Sequence, residues 1–209
     1  MHRTIVALST AFLLAACANP INQRTAQNYY AAGERALTAG DLPLAKQSFS
    51  RALINARLGN LGPEAESQAA MKLGQVLGNL CEYDEAERAF LEAVKADEAA
   101  YGSGSWQSFP SYAAIAQLDF DIGRYKQAAT YYERAFAVGG TRLERADPIS
   151  YSRLLDDYAV ALAQSGSPAV AADARSKANG LRAAAKGPGP GIVQSSVDYV
   201  PYPKSCKSP

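Results

Sequence analysis

Few side chains in this sequence combine the type and the spacing that chemistry needs. Asp156-Asp157 and Asp119-x-Asp121 are the paired carboxylates, the groups that proton transfer or cation binding would use. Neighbouring residues on a helix point in different directions, and neither pair has a further ligand at metal-binding spacing. The single histidine is His2, so the body of the chain has no imidazole base, no Ser–His or Cys–His pair and no His ligand. Cys17, Cys81 and Cys206 stand far apart, with no Cys-x-x-Cys among them, and no glycine loop suited to a phosphate appears. Most hydrolase mechanisms and most zinc and haem sites are thereby excluded. The expectation is a protein without catalytic residues, metal or cofactor. Lys plus Arg number 21 against 20 for Asp plus Glu, which leaves no positive excess for nucleic-acid phosphates. Contact surfaces remain as the vehicle of function.

The first residues read as an address. Met1-His2-Arg3 carries one fixed positive charge, and Ile5 to Ala16 is uncharged and mostly apolar, ending in Leu14-Ala15-Ala16-Cys17. Roughly a dozen apolar residues make a signal-peptide core and are too few to cross about 30 Å of hydrocarbon. Leu14-Ala15-Ala16-Cys17 resembles the lipobox of bacterial lipoproteins. The resemblance implies a diacylglyceryl group on the Cys17 thiol, cleavage before Cys17 and acylation of the new amine. Several acyl chains hold a protein stably on a bilayer, whereas one is marginal. Ala18 in place of Asp after the cysteine implies, by the same resemblance, the outer membrane of a Gram-negative host, facing the periplasm. Ordinary cleavage at the A-x-A pattern Ala16-Cys17-Ala18 is the alternative. With Cys17 lipidated, Cys81 and Cys206 could pair in an oxidising compartment; an unpaired tail cysteine fits the sequence equally well.

The elements that would position a contact surface come from a repeat. The 209 residues are 48% hydrophobic and 20% charged, a globular composition with enough apolar surface for a sizeable core. Gly40-Asp41-Leu42-Pro43-Leu44-Ala45 returns as Cys81-Glu82-Tyr83-Asp84-Glu85-Ala86 and as Gly123-Arg124-Tyr125-Lys126-Gln127-Ala128. A weaker fourth copy is Gly166-Ser167-Pro168-Ala169-Val170-Ala171. Four residues after the marker alanine stands an aromatic (Phe49, Phe90, Tyr132), replaced by Arg175 in the fourth copy. Seven residues after it stand Ala52, Ala93, Ala135 and Ala178. The marker alanines are 41, 42 and 43 residues apart, a period typical of stacked supersecondary units. Each copy reads as a helical hairpin: Met71, Leu73, Val76, Leu77 and Leu80 form one apolar face, and Ala86, Phe90, Ala93 and Val94 form the next. Asp84-x-x-Glu87 reads as a capping box. Asp147-Pro148 and Ser167-Pro168 read as caps followed by a first-position proline. No convincing strand precedes the tail.

This pattern resembles the tetratricopeptide repeat, on Leu73-Gly74, Leu77, Tyr83, Ala86, Phe90 and Ala93 in the second copy. The third copy supplies Tyr112, Ile115-Ala116, Tyr125, Ala128, Tyr132 and Ala135, and the first Tyr29, Ala32-Gly33, Ala45, Phe49 and Ala52. The fourth keeps Tyr158-Ala159, Leu162, Ala171 and Ala178, and its polar Arg175 suits a terminal capping repeat. The spacing is similar to the longer repeats of kinesin light chains. The resemblance implies an all-α, right-handed αα-superhelix of about four hairpins over residues 26–185. Residues 1–16 would be a signal peptide, 17–25 a tether and 186–209 a flexible tail, with disordered termini.

The resemblance further implies a peptide- or protein-binding groove lined by each first helix. Carried over residue by residue, it would be formed by Gln68, Lys72, Gln75 and Asn79, by Gln117, Phe120 and Asp121, and by Arg153, Asp156 and Asp157. Amide side chains on such a face can bond the backbone of an extended ligand without demanding one sequence; solvated helix residues are the plain alternative. The family's basic clamp for a terminal carboxylate is replaced by Tyr30 and Glu34. Residues 64–98 carry a net charge of −6 and residues 17–63 one of +3, a distribution suited to a basic partner or simply to a soluble helix face. Trp106 is either an exposed anchor or packed on the neighbouring hairpin. In the tail, Gly187-Pro188-Gly189-Pro190-Gly191 breaks any helix. Ile192–Val200 is short and β-prone, and whether the tail enters the groove is open.

These readings converge on a lipid-anchored adaptor of the bacterial envelope, without chemistry of its own. It would serve assembly of outer-membrane proteins, pili or exported polysaccharide. A factor that binds peptidoglycan or another glycan, or regulates a cell-wall enzyme, is the alternative. The oligomeric state is not encoded in any of these features.

Overall fold

A computed structural model of the protein describes residues 19–185 and 201–204. The expected signal peptide, Cys17, Gly187–Gly191, Ile192–Val200 and Cys206 lie outside the described residues.

Among the described residues the chain is helical and contains no strand. Helices α1 (Pro20–Thr38) and α2 (Leu42–Leu58) form the first hairpin, and α3 (Pro63–Asn79) and α4 (Tyr83–Tyr101) the second. The third consists of α5 (Phe109–Asp121) and α6 (Tyr125–Ala135). After a π turn at Phe136–Gly140 and the short α7 (Thr141–Ala146), α8 (Pro148–Gln164) and α9 (Pro168–Ala184) form the fourth. Each hairpin packs on the next through α2 with α3, α4 with α5 and α6 with α8. The architecture is therefore the expected all-α solenoid of helical pairs.

The repeated residues explain why the pairs close. Ala45, Ala86 and Ala128 have no exposed surface, nor have Phe49, Phe90 and Tyr132 one turn later. In the first two hairpins the aromatic lies flat against a glycine of the partner helix. A Cβ on Gly33 would meet the Phe49 ring at 2.7 Å, and one on Gly74 would meet Phe90 at 2.6 Å. Ala116 fills that position in the third hairpin, within one buried cluster with Tyr132. In the fourth, Arg175 is exposed, and the interior at Ala178 is closed instead by Phe136 and Leu143 of the preceding connection and by Tyr151. The turn between paired helices needs one left-handed residue, and Gly40, Gly123 and Gly166 provide it. Cys81 takes the same place in the second hairpin at φ 60°, a conformation that costs a non-glycine residue about 1 kcal/mol.

Three local expectations are corrected. Helix α1 begins at Pro20, inside the stretch 17–25 expected to be a tether. The Asn19 side chain accepts from the Ile21 and Asn22 amides, and Pro20 stands at a first-turn position where its missing N–H costs nothing. Asp84 is not a cap, because Glu82 holds the N-cap position of α4 without a side-chain bond. Asp84 instead pairs with Arg124 at 2.8 Å, and Glu87 accepts from the Tyr131 hydroxyl. Asp147 does cap α8, accepting from the amide and the hydroxyl of Ser150. Ser167 stands at the N-cap of α9 but makes no capping bond.

The acidic second hairpin is tied to its neighbours. Arg57 of α2 reaches Glu66 and Glu92, Lys46 pairs with Glu82, and Arg124 reaches Asp84 and Glu87. Asp97, buried in α4, accepts from Ser111 of α5, and its carboxyl is raised above the usual range by burial, which hydrogen bonds from Ser67 and Ser111 oppose. Much of the −6 charge thus staples one hairpin to the next. Trp106, in a 3₁₀ turn ahead of α5, is neither buried nor free. It is 43% exposed and stacks under the Arg142 guanidinium at 3.9 Å.

Candidate functional site

The first helices α3, α5 and α8 bear the residues expected to line a groove, and the structure separates them into three groups. The first lies between α1 and α3. Gln68 shares a cleft with Ala26, Gln27 and Tyr30, and Lys72 pairs with Glu34 at 3.2 Å. The place of the basic clamp is thus filled by an internal ion pair.

A second group lies on α3 and α5, with Asp157 of α8 within electrostatic reach of it. Asn79 donates to the Gln75 carbonyl at 2.8 Å within α3. Gln117 accepts from the Tyr132 hydroxyl at 3.1 Å and donates to Asp121 at 3.2 Å. The amide is thereby held between a buried aromatic and a carboxylate, and Asp121 is only 8% exposed. Asp157 of α8 is close enough to feel Asp121. Burial first, and then the charges of Asp121 and Asp156, push its carboxyl up to about 6.

The third group turns away. Phe120 packs edge-on against Tyr125 with ring centroids 5.8 Å apart, joining the interior of the third hairpin rather than a groove. Asp156 faces its own partner helix and is bridged by Arg182 of α9 at 2.5 Å. Arg153 is exposed on α8. As helical geometry requires, Asp156 and Asp157 diverge and form no paired-carboxylate centre.

The contacts that complete the second group come from a part of the chain that sequence reasoning left open. Pro201–Lys204 of the tail lies there. The Tyr202 amide donates to Asp121 Oδ2 at 3.0 Å, and the Tyr83 hydroxyl donates to the Pro203 carbonyl. The Tyr202 ring rests on Gly78 so closely that a Cβ there would come within 2.5 Å of it. Burial and the charge of Asp121 raise the Tyr202 hydroxyl above its ordinary value. Part of the tail therefore does reach the first-helix row. Two sequence signals point to this place. Gly78 is a second glycine in α3, four residues after Gly74, where helix propensity favours alanine. Cys81 occupies a turn position that the other hairpins give to glycine, and it is disulfide-bonded. The other two cysteines of the chain, Cys17 and Cys206, lie outside the described residues.

Another acid stands apart from the row. Asp119 has no exposed surface, and neither carboxyl oxygen has a hydrogen-bond partner among the described residues. Arg124 comes no closer than 3.9 Å. Burial first, then the charge of Glu87, raise its carboxyl to about 7 against the pull of Arg124. With α4 and α6 closed over it, Asp119 has no access for a substrate. Among the described residues no cluster of His, Cys, Asp or Glu is placed to hold a metal ion, and no helix is long and apolar enough to cross a membrane.

Residues 66–139 match the family model of the tetratricopeptide repeat. Residues 66–139 carry tetratricopeptide repeats. The match spans α3 to the π turn, and the same helical pairing extends on both sides of it. Among solved structures, BtubC (BKLC) from P. vanneervenii is similar with a TM-score of 0.68 at 18% identity, over 88% of this chain and 68% of that one. That likeness is one of fold. The MamA protein aligns at a TM-score of 0.45 and 15% identity, over 76% of this chain and 92% of that one. Among curated proteins no sequence matches the chain. The tetratricopeptide array is a scaffold for protein–protein contact, a fold that typically works without catalysis.

Proposed function

We propose that this tetratricopeptide protein is a lipid-anchored adaptor of the bacterial envelope that grips a partner protein by an extended segment laid along α3, α5 and α8. The observation that carries the binding mode is the seating of Pro201–Lys204 on α3 and α5, where its backbone bonds to Asp121 and to Tyr83 at the start of α4 and its Tyr202 ring rests on Gly78. Such bonds suit an extended ligand of any sequence. The anchor rests on Leu14-Ala15-Ala16-Cys17, and the envelope machines that export or assemble proteins, pili or polysaccharide are the setting it suits. Of the paired carboxylates, Asp156 is engaged by Arg182 and Asp119 is sealed.

Affinity purification after crosslinking in intact membranes tests the adaptor role, and a reproducible protein partner is the expected result. Recovery of none, with the protein itself abundant in the sample, contradicts it. For the anchor, Cys17→Ser is expected to move the protein from the membrane fraction to the soluble one; unchanged fractionation refutes lipidation.

A further inference from the structure

The row formed by α3 and α5 is already occupied, and the occupant describes the ligand. Tyr202 offers its N–H to Asp121, and the next residue, Pro203, offers its carbonyl to Tyr83. These two contacts take main-chain groups only, so they fix an extended backbone and read no side chain. The ring of Tyr202 supplies the selectivity. It lies against the bare backbone of Gly78, where any side chain on the helix would collide with it. It also packs with the buried cluster that contains Leu77, Ile115 and Leu118. The flanking prolines suit the slot in two ways. Pro203 holds the preceding residue extended, and neither proline brings an N–H that would need a partner.

We propose that the Gly78 slot is an aromatic-reading subsite that takes the tyrosine of an extended, proline-flanked segment. The chain's own Pro201–Lys204 fills it until a partner's segment of the same chemistry displaces it. The inference rests on the adaptor reading above and names the chemistry of its ligand. An occupied site binds a competitor with an apparent affinity reduced by the fraction of molecules whose slot is open. Emptying the slot must therefore raise affinity for a segment supplied in trans.

The probe is a fluorescein-labelled peptide Tyr-Val-Pro-Tyr-Pro-Lys, which copies residues 199–204, titrated against the full chain by fluorescence anisotropy. Tyr202→Ala is expected to bind it at least tenfold more tightly than the unaltered protein. Gly78→Leu added to Tyr202→Ala should abolish the gain, because the leucine fills the slot. A peptide with alanine in place of its proline-flanked tyrosine should bind at least tenfold more weakly. Tyr202→Ala binding no tighter than the unaltered chain, or equal binding of the alanine peptide, overturns the subsite. In the unaltered protein, saturating peptide should speed hydrogen exchange at the Tyr202 amide, and an unchanged rate counts equally against the proposal. These measurements need no membrane and no partner protein. Tight peptide binding without any crosslinked partner in cells would thus remove the adaptor role and leave the subsite standing.

Discussion

The marker residues owe their recurrence to a contact one atom deep. Phe49 and Phe90 sit where a Cβ on Gly33 or Gly74 would stand, so hairpin closure depends on the absence of a methyl group. Overpacking a tight interior costs about 1–3 kcal/mol, and Gly74→Ala is expected to lower unfolding free energy by that amount in urea denaturation. Gly180, where an added Cβ would meet nothing within 4 Å, provides the contrast. Gly180→Ala should be neutral or stabilise by up to ~1 kcal/mol through helix propensity. Asp119 gives the residue scale its pH dependence. Its carboxyl titrates near 7 in the folded chain and near ~3.9 unfolded, so the folded state holds the proton more tightly. The stabilisation from this proton is complete below about pH 4 and is lost as pH rises through 7. Glu87 and Asp84 oppose ionisation from α4, Arg124 favours it from the turn before α6, and the Tyr131 hydroxyl lies near on α6. Asp119→Asn should therefore raise the melting temperature at pH 8 and leave it nearly unchanged at pH 4. A gain of equal size at both pH values contradicts this assignment. The spacing that revealed Phe90 and Ala86 carried no hint of Asp119, because burial of a lone acid depends on which residues neighbouring hairpins place above it.

At the level of elements, a polar residue followed by proline marks a helix start without guaranteeing a side-chain cap, as Ser167-Pro168 shows. Asp147-Pro148 produces a working cap, and Asn19-Pro20 has the same form, which is why α1 extends ahead of the first recognisable repeat residue. Asp84 has the look of a cap because the motif S/T/D-x-x-E also arises one step inside a helix. In the first turn of α4 its charge is favourable towards the helix dipole without capping anything, and Arg124 lies across the hairpin boundary to receive it. Asp147→Ala should cost about 1 kcal/mol, while Ser167→Ala, which removes no capping bond, should change stability by much less. Thermal unfolding of the two variants side by side checks the difference; equal losses would contradict the assignment. The left-handed turn residue belongs to this scale too. Three glycines and Cys81 share it, and a cysteine retained against that conformational cost is explained by the bond its sulfur makes.

For the molecule as a whole, periodicity made the stack legible almost completely, while the identity of its groove did not follow from periodicity. Of the residues placed there by resemblance, Gln117, Asp121 and Asp157 lie together, whereas Phe120 packs into the third hairpin and Asp156 pairs with Arg182 of α9. A carry-over by repeat position captures the rotation of a helix about its axis, but not which neighbour each side chain finds. The tail contact between Asp121 and Tyr202 spans 81 residues of sequence, beyond the reach of any local pattern. Charge behaves likewise: the acidic block of residues 64–98 reads as a steering surface in one dimension, yet Arg57, Lys46 and Arg124 bind it across the hairpin boundaries. The central claim is that the first-helix row grips a protein partner. It is tested most directly by placing a photo-crosslinking residue at Gln75 on that row and, separately, at the exposed Arg88 of α4, then irradiating intact cells. One reproducible protein adduct from position 75, absent from position 88, is the predicted result. No adduct from either position, or the same adduct from both, would contradict the account.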